Sequence, residues 1–124
     1  MAACGVIAIV ACASSCESTN PLTQSKNIVF PDSGVSYHQH LQPVFDLSCT
    51  YSGCHDDGTR AGGLSLTTWS NANADPGNIV PFDPDHSKLV QVMERKIIHN
   101  GPLDTISNHI RGIRRWVLEG GKNN

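Results

Sequence analysis

The chain has 124 residues, one domain's worth, with 39% hydrophobic and 16% charged side chains, both low for a globular domain. Eleven Gly and seven Pro make it loop-rich, with a core thin enough to call for a staple such as a disulfide, a metal or a cofactor. A formal net charge of −2 gives no electrostatic footprint for nucleic acid or an anionic surface, so neither is expected as a partner. The five cysteines fall into two groups: Cys4, Cys12 and Cys16 at the start, and Cys49 and Cys54 in the body.

Residues 1–16 carry no charge and form an apolar run that closes on small residues, followed at once by Glu17-Ser18-Thr19-Asn20-Pro21. This is the profile of an export signal with its cleavage site. Ala13-Ser14-Ser15-Cys16 resembles a bacterial lipobox, which makes residues 1–15 a lipoprotein-type signal and Cys16 the lipidated residue; Ile9-Val10-Ala11-Cys12 is the competing match. Export leaders usually open on Lys or Arg, and the first basic residue here is Lys26. The alternative is a buried N-terminal helix, which Gly5 and the polar continuation disfavour. Residues 16–34 read as a polar tether and extended lead-in, with Pro21, Pro31 and Gly34 as breakers.

Three helix signals follow within 35–124. The first spans about Ser36 to Ser48, with Ser36 as N-cap, Leu41, Val44, Phe45 and Ser48 on one face, and Pro43 kinking it or starting its second half. The second spans about Pro84 to Lys96, opened by Asp83-Pro84, with His86, Leu89, Val90, Met93 and Ile97 at helical spacing. The third, about Thr105 to Glu119, carries Ile106, Ile110, Ile113 and Val117 as one stripe with Trp116 beside it. Asp104 can cap its start, and Gly120-Gly121 can end it in a left-handed turn. Residues 56–83 form a loop with one helical turn near Thr68–Ala74. No run has the alternation of a sheet strand, so the expected class is all-α, with three or more helices and long loops.

The chemistry concentrates in Cys49-Thr50-Tyr51-Ser52-Gly53-Cys54-His55. Two nearby thiols can add to the two vinyl groups of a haem, and an imidazole directly after the second thiol is placed to ligate the iron. The usual form is C-x-x-C-H. Here two further residues separate the cysteines, and Gly53 lets the wider loop fold back. The competing reading is a Cys49–Cys54 disulfide with His55 merely adjacent. A structural zinc site lacks a second Cys pair.

The flanking residues extend this reading. Leu41-Gln42-Pro43-Val44-Phe45, the Cys49-x4-Cys54-His55 run and Gly62-Gly63-Leu64-Ser65-Leu66 occur in that order. They are followed by Val80-Pro81-Phe82-Asp83-Pro84-Asp85-His86-Ser87-Lys88-Leu89, Gly101-Pro102-Leu103 and Trp116-Val117-Leu118-Glu119-Gly120-Gly121. From about Tyr37 to Asn124 the chain thereby resembles bacterial monohaem c-type cytochrome domains of the planctomycete-type and related lipoprotein families. The resemblance implies a class I cytochrome c-like fold around one covalent haem c, with Cys49 and Cys54 as thioether attachments and His55 as proximal iron ligand. It also implies an extracytoplasmic electron carrier, on the periplasmic or cell-surface side, that meets redox partner proteins and is tethered to a membrane by its lipid alone.

Such domains usually place Met-Pro in the loop before the last helix, and here that loop reads Ile97-Ile98-His99-Asn100-Gly101-Pro102. His99 is therefore the first candidate for the distal ligand, Met93 the second, and an open iron position the third. His109 reads as a boundary residue of the last helix, and His38, His40 and His86 as helix-surface or first-turn residues. No nucleophile–base pair or paired carboxylate stands out, so a carrier is expected rather than an enzyme. The competing classes are an open-site haem domain, peroxidase-like or gas-sensing, and a haem-free, disulfide-stapled interaction domain whose histidines bind copper.

Overall fold

A computed structural model describes residues 24–103 and 106–124. The proposed signal, Cys12, Cys16 and the capping Asp104 lie outside the described residues. Among those described there is no strand: the architecture is all-α, with four short helices and long turns. No described helix is long and apolar enough to cross a membrane.

The chain enters the first helix through a π-helical turn, Tyr37–Leu41, which runs directly into α1, Gln42–Ser48. Ser36 caps the turn, accepting from the Gln39 N–H at 3.2 Å. Pro43 sits in the first turn of α1, where its missing N–H leaves no bond unmade. Of its two sequence options, it starts the second half of the segment. Leu41, Val44 and Phe45 are buried, as their spacing predicts.

The loop after α1 contains a 3-10 turn, Ala61–Gly63, and the short helix α2, Trp69–Ala72, capped by Thr68 through the Asn71 N–H at 3.1 Å. Asp57 organises this loop. It accepts from Ser65 Oγ at 2.7 Å, Thr67 Oγ1 at 2.9 Å and Asn71 Nδ2 at 3.1 Å. Those hydroxyls, aided by Arg60, hold its carboxyl below the usual aspartate range.

The second expected helix is shorter than its periodicity: α3 covers Lys88–Met93 only. Asp83-Pro84 does open a capped turn, with the His86 N–H and ring on the Asp83 carboxylate. Ser87 then goes extended, because its hydroxyl donates to the Asp83 carbonyl at 2.8 Å and accepts from the Val80 N–H at 2.8 Å. At the other end Arg95 adopts φ 58°, and the Lys96 N–H returns to the Gln91 carbonyl at 2.8 Å. That is a Schellman stop with Arg where Gly is usual.

The last helix, α4, runs Ser107–Leu118 and stops at Gly120-Gly121 as the glycine pair predicts, with the Gly121 N–H on the Trp116 carbonyl at 3.0 Å. Its buried face is His109, Gly112, Ile113, Trp116 and Val117. This corrects the reading of His109 as a boundary residue: it is fully buried, with Nε2 3.1 Å from the Ile28 carbonyl oxygen. The cause is Phe30, whose buried ring lies against Gly112, His109 and His40. Structure therefore begins before residue 35. Ser25, Phe30 and Val35 are buried, and Glu119 accepts from the Gly34 and Val35 N–H groups at 3.0 Å each.

The π-helical turn, α1 and α4 share one hydrophobic core, with Tyr37 of the turn and Trp116 of α4 at a ring-centroid distance of 5.6 Å and Phe45, Ile113 and Val117 also buried. Asn124 ties the chain's end back to this layer, receiving the Tyr37 N–H at 2.9 Å and the Ser36 hydroxyl at 2.8 Å. Arg114 joins α4 to the α3 region through Asp85 at 2.9 Å and Glu94 at 3.1 Å.

Candidate functional site

Beside this core lies a partly open apolar cleft with a cavity volume of about 120 Å³. Its walls include Leu64, Leu66, Leu89, Val92, Met93 and Leu103, and the same cleft is lined by Cys49, Cys54, His55 and His99. Residues separated by up to 54 positions in sequence thus share one site.

α1 ends at Ser48 and delivers Cys49 at its C-terminus, where the Cys49 N–H still bonds the Phe45 carbonyl at 2.8 Å. The wider loop then closes on itself. Gly53 takes φ 90° and gives its N–H to Thr59 Oγ1 at 3.0 Å, and the His55 N–H returns to the Cys49 carbonyl at 3.1 Å. A side chain at Gly53 would be strained by that dihedral, so the glycine is what lets the longer spacing keep Cys49 and His55 together.

His55 is held at three points. Besides the Cys49 carbonyl, its own carbonyl accepts from the Leu66 N–H at 2.9 Å, and its Nδ1 stands 3.1 Å from the Leu64 carbonyl oxygen. A carbonyl only accepts, so Nδ1 carries the ring proton and Nε2 keeps its lone pair. A hydrogen bond from the other ring nitrogen to a backbone carbonyl is the usual way a metal-ligating imidazole is fixed. The Leu64 carbonyl was not foreseen from sequence. Its only signal was the Gly62-Gly63 pair, whose positive φ angles turn the chain back toward His55.

The His99 ring lies 5.9 Å from the His55 ring, centroid to centroid, tilted by 41°. Its Nδ1 faces both Gly101 backbone groups, the oxygen at 3.1 Å and the nitrogen at 3.2 Å. Met93 also lines the cleft, but it sits in the hydrophobic cluster at 4% exposure. His38 and His86 are exposed and His40 is half-buried, all away from the cleft lining.

No family model, curated protein or solved structure matches this chain. The site is therefore read from its own chemistry.

Both thiols are free. Burial, then the neighbouring Cys54 and Asp46, push the Cys49 thiol up to about 12. At neutral pH it is protonated, so it is neither a ready nucleophile nor a thiolate metal ligand. Among the described residues no three His, Cys, Asp or Glu side chains converge on one metal position. Four donors line one cleft without meeting at a point.

Proposed function

We propose that the chain binds one haem c in this cleft and carries electrons between redox partner proteins outside the cytoplasm. In this reading residues 1–15 direct export and Cys16 anchors the domain to a membrane. The observation that carries the proposal is one apolar cleft lined by two neighbouring histidines and two free thiols. The His55 and His99 rings, with centroids 5.9 Å apart, would together hold the haem iron.

The residues fit the group. Cys49 and Cys54 supply the thioether links. His55, with Nδ1 committed to Leu64, offers Nε2 as the proximal donor. His99 is the distal donor when its Nδ1 proton sits on the Gly101 carbonyl and Nε2 is left free. Leu64, Leu66, Leu89, Val92, Met93 and Leu103 exclude water and lower the local dielectric. The haem iron, once bound, supplies the one-electron couple. Two imidazoles hold that couple at a lower potential than an imidazole–thioether pair does, because imidazole favours ferric iron. Met93, packed in the hydrophobic cluster, acts as wall rather than ligand.

The test is expression of the exported chain with a haem-ligation system. Haem should remain on the polypeptide through acid–acetone extraction, and Cys49→Ala with Cys54→Ala should abolish attachment. His99→Ala should turn a low-spin spectrum high-spin and admit carbon monoxide, while Met93→Leu should leave it low-spin. Haem recovered in the organic phase overturns the proposal. The converse pattern, with Met93→Leu going high-spin, overturns the His99 assignment.

A further inference from the structure

The loop that carries His99 contains the sequence's single Asn-Gly dipeptide, Asn100-Gly101. Both residues are exposed, and among the described residues no hydrogen bond holds the Asn100 side chain. Gly101 presents the least hindered backbone nitrogen any residue offers, and the His99 ring lies directly on it. A Cβ built at Gly101 would stand 3.2 Å from His99 Cε1, and the Gly101 nitrogen is 3.2 Å from His99 Nδ1, with its N–H aimed at that atom.

We propose that His99 is a built-in base for deamidation of Asn100, which makes this loop a self-modifying site while Nδ1 is free. His99 Nδ1 takes the proton from the Gly101 nitrogen, and that nitrogen attacks the side-chain carbonyl carbon of Asn100. The new C–N bond closes a five-membered imide. The bond to the side-chain amide nitrogen breaks, and that nitrogen leaves as ammonia with the proton His99 accepted. One water then opens the imide at either carbonyl, leaving aspartate or isoaspartate at position 100. The sum is one water consumed and one ammonia released, with no redox change.

Asp57-Gly58 is the internal contrast. It is the chain's one Asp-Gly pair and could close the same imide, but the Asp57 carboxylate is tied to Ser65, Thr67 and Asn71. The product at Asn100 adds a negative charge, and in the isoaspartate form an extra backbone carbon, to the residue next to His99. Deamidation therefore displaces the same side chain that the cleft presents opposite His55.

The inference does not need haem, but it gains a switch if the haem reading holds. If His99 Nε2 held the haem iron, Nδ1 would keep its proton, donate it to the Gly101 carbonyl and be unable to accept from the Gly101 N–H.

The experiment ages the ligand-free protein at neutral pH and follows the Asn100 peptide for amide-to-acid conversion and isoaspartate. Positioned general bases contribute factors of a hundred or more in evolved sites. A loop base of this kind should make the native chain at least about tenfold faster than His99→Gln, and faster than the urea-unfolded chain. His38→Gln, at an exposed histidine away from the cleft, should keep the fast rate. Equal rates in the native protein and His99→Gln, both folded by circular dichroism, overturn the inference. Haem-loaded protein should be slow. A loaded protein as fast as the ligand-free one takes His99 off the iron while upholding it as the base, so the two readings fail separately.

Discussion

Gly112 decides whether α4 can close on the entering chain. A Cβ at this position would stand 2.1 Å, 2.2 Å and 2.3 Å from Cδ1, Cγ and Cβ of Phe30. Carbon atoms rest at about 3.5–4.0 Å, so Gly112→Ala cannot be absorbed by a small shift. Phe30 must leave, yet it is 3% exposed, its rings meet His40 and His109 at 5.6 Å, and its backbone is pinned by Asn108 at 2.8 Å and 3.2 Å. Losing a buried Phe costs about 3–5 kcal/mol, and Ala returns about 1 kcal/mol of helix propensity. The net is a destabilisation of about 2–4 kcal/mol, worth roughly 10–20 °C in melting temperature for a domain of this size. Thermal and urea melts followed by far-UV circular dichroism read it directly. In a Phe30→Ala background the same Gly112→Ala change should be neutral or mildly stabilising, because the obstacle is gone. A single Gly112→Ala variant as stable as the parent would refute the packing of Phe30 on α4.

Two further outcomes follow from the titrating groups. In the ligand-free protein, Cys49 at about 12 should alkylate at pH 8 roughly a thousandfold more slowly than an ordinary thiol of about 8.5; peptide mass spectrometry reads this, and labelling as fast as in the unfolded chain would contradict the raised thiol. Burial works against the charge on Glu119, but the Gly34 and Val35 N–H groups and Arg115 outweigh it and hold its carboxyl below the usual range. A depressed folded pKa adds stability above the unfolded value of about 4.3 and loses it as pH falls through the folded value. Glu119→Gln should therefore cost about 1 kcal/mol at pH 7 and much less at pH 3. An equal cost at both pH values in urea melts would refute the charge's role.

What was legible in the sequence depended on how local its cause was. α4 and its glycine stop could be read because twelve residues of periodicity and a Gly-Gly pair lie in one stretch. The capped turn at Thr68 was equally local. The second helix was over-read because its apolar spacing continues past both ends. What cuts it are Ser87's hydroxyl, spent on Val80 and Asp83, and the left-handed turn at Arg95. His109 was misplaced because the residue that covers it, Phe30, arrives from a segment that looks like tether in composition. At the site, the five body candidates Cys49, Cys54, His55, Met93 and His99 do line one cleft. Their common placement was visible only through motif order, and the Leu64 carbonyl that fixes His55 was not visible at all.

The two sides of the cleft are built differently, and that difference bears on function. The His55 side is rigid. Its backbone N–H, its carbonyl and its ring nitrogen are all engaged, and the loop behind it is knotted to Asp57. The His99 side hangs on Gly101 alone among the described residues, between Ile97 at 40% and Ile98 at 94% exposure. Under the proposed function, a haem held from the His55 side would stay in place when the His99 loop changes. Changes confined to the His99 loop, whether in its tautomer, in the chemistry at Asn100 or in a partner covering Ile97 and Ile98, then alter the environment of a bound ligand without releasing it. On the haem reading proposed above, a rigid attachment face with a soft opposing loop would let one short domain hold its cofactor and still have its properties adjusted.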